Sequence, residues 1–307
     1  MESKRVTLLL MSNGWKERTE AGSDIGMKFT VFVARRIGRT ALRLILIPIS
    51  TYFFLLRKNE RRASREYLST LQQSPASYWQ VFRHFLTFSQ VVADRIYFLT
   101  GHEHRIKVRL HGHDPFKALA AKGRGGVVLA AHFGSFEAAR VLGKTKGGVK
   151  VKVVLDRQVN AKLIRNLERL NPELAESIID TSQGATHLGL AISESAARGE
   201  WIGFLADRHQ ENDRTVNGTF LGRPARFPVG PFIVAAALHL PVICLFPALV
   251  GKDYEVYCEV FAEEIILPRK DRSKALEQLV QRFVSRIEYN VSRHPYNWFN
   301  FYDFWRE

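Results

Sequence analysis

VVLAAHFGSFEAARVL, residues 127–142, reads as a strand that stops, turns and becomes a helix. Val127 to Ala131 are apolar without polar alternation, the pattern of a strand covered on both faces. His132 ends it, Gly134 permits a tight turn, Ser135 is of the type that caps a helix, and Glu137 falls in the first helical turn. The same strand-to-helix rhythm continues downstream. VKVVL (151–155), AKLIRNLERL (161–170), HLGLAISESAARG (187–199) and EWIGFLAD (200–207) alternate strand, helix, helix, strand. PVICLFPALV (241–250) and YEVYCEVF (254–261) add two strands, and a helix is expected over 273–292. Residues 208–230 read as a glycine- and arginine-rich loop. The fold class is therefore α/β, a mixed β-sheet flanked by helices.

Working outward, the chain of 307 residues carries 45 Lys and Arg against 30 Asp and Glu, a formal +15 that favours anionic partners. Its 46% hydrophobic content excludes a disordered chain. Two cysteines, Cys244 and Cys258, both in apolar strand-like stretches, exclude a disulfide framework and are expected as buried free thiols. The first 70 residues hold fourteen basic and six acidic side chains beside the most apolar run, LILIPISTYFFLL (44–56). That run is shorter than a spanning helix needs, and Pro48 interrupts it. Upstream, Arg35, Arg36, Arg39 and Arg43 project into one helical sector with Val33, Ile37, Ala41, Leu44 and Ile45 opposite. An N-terminal amphipathic, apolar helical segment lying on anionic lipid is expected, its arginine stems snorkelling to phosphates. Residues 57–99 follow as helices broken near Ser74–Ser77.

On one continuous helix, His132 and Glu137 would face apart. Across the strand-turn-helix junction the Glu137 carboxylate can reach back to the imidazole, fix its tautomer and leave the other nitrogen to accept a proton. The carboxyl end of a strand is also where open α/β sheets bind ligands.

These residues resemble the HX4D/E block of the lysophospholipid acyltransferase superfamily, in its branch of lipid A lauroyl/myristoyl-type bacterial acyltransferases. ADRHQENDRTVNGTFLGRPARFPVGPFIVAAALHLPVICLFP (206–247) resembles that branch's later block, and RRASREYL and the arginine-rich apolar segment before it are similar to its N-terminal part. The resemblance covers about residues 15 to 300. It implies acyl transfer from an acyl thioester, carried on acyl carrier protein or coenzyme A, to a hydroxyl or amine of a lipid or glycolipid acceptor. His132 would be the general base and Glu137 its orienting acid. Phe133 and Gly134 would line the site. Arg157 and Arg208 follow strands ending beside His132, Asp207 could hold either arginine, and Arg223 and Arg226 could bind phosphate. Ser135 and Phe136 stand where that branch commonly carries asparagine and tryptophan, which leaves the acceptor open.

The expected division is a membrane-contacting segment over residues 1–69 and an acyltransferase domain over 70–307. The expected location is the cytoplasmic face of a bacterial inner membrane, peripheral or monotopic. No metal or redox cofactor is expected, and no nucleic acid. Acyl carrier protein, which is acidic, suits the basic surface. Two other readings compete: a metal-dependent hydrolase using His102/His104 and His111/His113, and a basic nucleic-acid- or membrane-binding protein without catalysis. The first lacks the aspartate and histidine its signature needs at Pro115 and Phe116.

Overall fold

The computed structural model describes residues 38–306 except 113, 141–148, 158–167, 169–170, 173–175 and 211–212. Three helices lead: α1 (Arg39–Leu56), α2 (Lys58–Gln72) and α3 (Tyr78–Leu99). Among the described residues, β1 (Val108–His111), α4 (Asp114–Ala120), β2 (Gly126–Ala130), β3 (Val151–Leu155), β4 (Ile178–Asp180), α5 (Ala185–Ala197) and β5 (Trp201–Leu205) follow. The hairpin β6 (Thr215–Phe220) and β7 (Arg223–Pro228), then α6 (Gly230–Ala237), β8 (Val242–Val250), β9 (Asp253–Ala262) and α7 (Arg272–Arg293) complete the order.

Seven strands form one sheet in the order β1-β9-β8-β2-β5-β3-β4, with helices against it. Only the β8–β9 pair is antiparallel, so the sheet is mixed as its sequence pattern requires. β2 lies at its centre and is buried at all five positions, which is why GVVLA carries no polar alternation. β9 alternates along most of its length, as a strand with one drier face does. Cys244 packs in the large core and Cys258 in a smaller cluster across the sheet; both are buried and free. Residues 208–230 are not one loop. Most of them form the β6–β7 hairpin, a separate two-stranded sheet whose type the prolines and glycines obscured.

α3 starts with a full capping box: Gln80 N–H donates to Ser77 Oγ while the Gln80 side chain accepts from Ser77 N–H. Its Val81 and Phe85 join Tyr67 and Leu68 of α2 in the main core with the sheet and α7, and residues 69 and 70 both lie inside α2. α1 runs unbroken through Pro48, contrary to the interruption expected there. It sets Leu42, Leu46 and Ser50 inward and exposes Leu44, Ile47, Tyr52, Leu55 and Leu56. The arginine stripe is also corrected. Arg39 makes a bidentate pair with Asp94 at 2.7 and 2.6 Å, and Arg43 Nη1 donates to Gly251 O at 3.1 Å. These guanidinium groups clamp α1 to α3 and to the β8–β9 turn instead of reaching lipid. Arg35, Arg36, Val33 and Ile37 lie outside the described residues.

Candidate active site

The β2–β5 register brings together two residues far apart in sequence. Gly126 pairs with Trp201 and Ala130 with Leu205, a constant offset of 75 positions. Continuing that offset past the strand ends puts His132 beside Asp207, and they do meet. His132 Nδ1 lies 2.8 Å from Asp207 Oδ1, and the His132 backbone N–H donates to the same oxygen at 3.1 Å. An ionised carboxylate only accepts, so Nδ1 carries the proton. Nε2 has no partner among the described residues, and the His132 side chain is 33% exposed. A histidine held this way has its other ring nitrogen unprotonated and able to accept a proton.

Asp207 is fully buried, and its second oxygen, Oδ2, accepts from the Trp298 indole N–H at 2.9 Å. Arg208 Nε is 3.9 Å from that oxygen. Burial alone would push the carboxyl group up, yet His132, Arg208 and the indole N–H together hold it well below the ordinary carboxylate range. Burial lowers the His132 pKa, and the Arg208 charge lowers it further, against an opposing pull from Asp207. The imidazole is therefore poised neutral near pH 7.

Gly134 makes the turn possible. Its φ is +57°, and a Cβ there would sit 1.5 Å from the Pro247 carbonyl oxygen on β8, so no larger residue fits. Ser135 caps the helix that begins at residue 136 by accepting from Ala138 N–H at 3.3 Å, as its residue type predicts.

Glu137 does not meet His132. Its Oε2 accepts from Ser135 Oγ at 3.0 Å and its Oε1 faces Arg95 Nε of α3 at 3.2 Å. The first turn of the helix carries this carboxylate toward α3, while the sheet register delivers Asp207 to the imidazole. Phe133 is buried in the core edge-on to Phe246, and its backbone bridges to Trp298. Arg208 donates to Phe299 O and lies over the Tyr302 ring, next to the pair. Arg157 stands two strands away, where its backbone N–H binds Asp180 and its guanidinium faces Glu168. Arg223 is paired with Glu66 at 2.7 Å and covers Trp305, and Arg226 binds Thr215 within the hairpin. These last three are not brought to His132.

Two cavities lie elsewhere. One, of about 350 Å³, is lined by Lys152, Arg157, His187 and Arg198; the other, of about 500 Å³, by Arg83, Arg293, His294 and Asn297. The His132 ring lines neither. His102 Nδ1 binds the Thr100 carbonyl, His111 ends β1, and His113 lies outside the described residues. Among the described residues no three His, Cys, Asp or Glu side chains converge as a metal site would need.

Sequence reasoning placed Asp207 with the arginines and missed its bond to His132, Trp298 as its second partner, and Arg95 as the partner of Glu137. The spacing of strands β2 and β5 would have shown the first had their register been known. The others depend on how α3 and the C-terminal segment pack, for which local sequence carries no signal.

A family model described as bacterial lipid A biosynthesis acyltransferase matches residues 29–307. No curated protein matches the chain.

Proposed function

Because the chain belongs to the bacterial lipid A biosynthesis acyltransferase family, whose activity is acyl transfer to a lipid, we propose that it moves a fatty acyl chain from a thioester to a hydroxyl or amine of a lipid acceptor, with His132 as general base and Asp207, in place of Glu137, as its orienting acid. The single observation that carries this reading is the 2.8 Å contact between His132 Nδ1 and a buried, ionised carboxylate, with the other ring nitrogen unpartnered among the described residues. Nε2 takes the acceptor's proton as its oxygen or nitrogen attacks the thioester carbonyl. The new bond to the acyl carbon forms, the carbon–sulfur bond breaks, and the imidazolium returns a proton to the departing thiolate. No covalent intermediate on the protein is required.

The surplus of fifteen positive charges favours an acidic donor, and acyl carrier protein is the one proposed. The acceptor is a lipid or glycolipid at the cytoplasmic face of the inner membrane. The exposed apolar side of α1 supports membrane seating: it is 18 residues long, about 27 Å, with Leu44, Tyr52, Leu55 and Leu56 outward. Phe54 packs edge-on against Tyr78 of α3, and the exposed Tyr78 and Trp79 extend the apolar side with rings suited to a lipid interface. The opposite side of α1 is packed on α3, which suits a helix lying in the interface better than one surrounded by lipid.

The test is transfer of labelled acyl groups from acyl carrier protein, and separately from coenzyme A, to a membrane lipid extract, with the product identified by mass spectrometry. Label in a lipid product supports the reading; hydrolysis without lipid acylation overturns it. Membrane binding is checked by pelleting with vesicles. An apolar seat predicts that most protein stays in the pellet at 1 M salt, where the screening length shrinks to roughly 3 Å. Complete release by salt would count against α1.

A further inference from the structure

Beyond α7 the chain returns to the site. Residues 297–299 run behind the 132–134 turn and take up its polar backbone groups. Gly134 N–H donates to Asn297 O at 2.8 Å, Phe299 N–H donates to His132 O at 2.8 Å, and Phe133 bridges to Trp298. The Asn297 side chain fastens this segment to β8 by bonds to both Leu249 N–H, at 2.7 Å, and Leu249 O, at 3.2 Å. Trp298 itself is completely buried, with ring centroids 4.8 to 5.0 Å from Tyr67, Phe220 and Phe304. Its carbonyl accepts from Nε2–H of His84, whose Nδ1 is bonded to Ser64 Oγ.

A buried indole needs only one acceptor for its single N–H, and a neutral carbonyl would serve. Here the N–H is given to the one carboxylate that holds His132. We propose that Trp298 is a positioning residue: its indole N–H fixes the Asp207 carboxylate in the orientation that grips His132, so the C-terminal segment sets the basicity of the catalytic ring. This rests on the reading of His132 as the base. Without that donor, Oδ2 would keep an unpaired buried lone pair, and the carboxylate would turn or concentrate its charge on Oδ1. Either change alters the bond to Nδ1. The charged groups near the ring are Asp207 and Arg208 from the end of β5, Arg95 from α3 and its partner Glu137; residues 297–300 contribute no titratable side chain.

Trp298→Phe keeps an aromatic ring in the pocket and removes the donor. In the full-length protein with ¹³C-labelled histidine, the His132 midpoint is expected to rise by about half a pH unit, a three-fold gain in proton affinity. The acid limb of kcat/KM should move the same way, and kcat should fall with the thioester KM changed less than two-fold. A variant that only lowers Tm, with the His132 midpoint and the acid limb unmoved, would overturn the proposal. Where the variant fails to fold, the ¹⁵N-indole resonance of Trp298 in the unaltered protein decides, since it should inflect at the His132 midpoint and a flat response rejects the coupling. The midpoint is read whether or not His132 performs the chemistry. A shifted midpoint in Trp298→Phe combined with full turnover in His132→Ala would therefore remove the general-base reading and uphold the link from Trp298 to His132.

Discussion

His132→Ala is expected to cut acyl transfer by about 10²- to 10⁴-fold, the range that a positioned general base supplies, with a fall in Tm of a few degrees at most from the hydrogen bond that buried Asp207 loses. Asp207→Asn should follow, losing about 10²-fold or more. The amide can present an N–H to Nδ1 and so reverse the tautomer that leaves Nε2 basic. Glu137→Gln should cost less than about 10-fold, since Glu137 contacts Ser135 and Arg95 and not the imidazole. Steady-state rates for the three variants give an order, and the order is the test. Glu137→Gln costing more than Asp207→Asn would restore the pairing that the 132–137 spacing suggests. The pH dependence adds a sign. A general base works when neutral, and burial together with Arg208 lowers the His132 pKa, so with His132 as the proposed base kcat/KM should rise with pH and level off below the ordinary imidazole range. Arg208→Gln removes a cation beside the ring, so its acid limb should move to higher pH.

The strand-turn-helix described over 127–140 was legible because each requirement has its own residue signature. Full burial shows as an unbroken apolar run, the close approach to Pro247 as Gly134, and the cap as Ser135. The carboxylate that bonds to His132 was not legible, because it depends on which strand lies beside β2. In a parallel sheet that neighbour is set by crossover topology, and here it is β5, 75 residues on. Glu137 has the right chemistry at the right spacing, and a helix that turns it toward Arg95 undoes the inference. The arginine stripe failed in a similar way. Periodicity correctly groups Arg39 and Arg43 on one side of α1, but it cannot tell lipid phosphate from a buried aspartate on another helix. The hairpin at 215–228 was hidden because its prolines and glycines are also the residues of loops.

Asp94→Asn is expected to destabilise the fold more than Asp207→Asn or Glu137→Gln. Asp94 is 2% exposed at its side chain and receives Arg39 through both oxygens, with Arg43 Nη2 at 3.7 Å and the Tyr254 hydroxyl donating at 3.1 Å. Asparagine keeps the shape and one acceptor, removes the charge, and leaves two guanidinium groups facing a neutral amide. Breaking a buried pair on one side costs about 3 to 5 kcal/mol. Arg39 keeps 13% exposure, which favours the lower end. At roughly 1.5 °C per kcal/mol for a chain of 307 residues, Tm measured by circular dichroism should fall by about 5 °C. The double variant Asp94→Leu with Arg39→Met should recover part of the loss, because it leaves neither Asp94 nor Arg39 as a buried charge. A single variant within about 2 °C of the parent would mean that α1 is held by its apolar seam alone, by Leu42 and Leu46 against α3. The effect should also reach function. Asp94 precedes Arg95, the partner of Glu137 in the first helical turn after His132. Loosening α3 at this point should therefore lower kcat in Asp94→Asn at temperatures well under its Tm, whereas disturbing the outward side of α1 should alter membrane binding without that change.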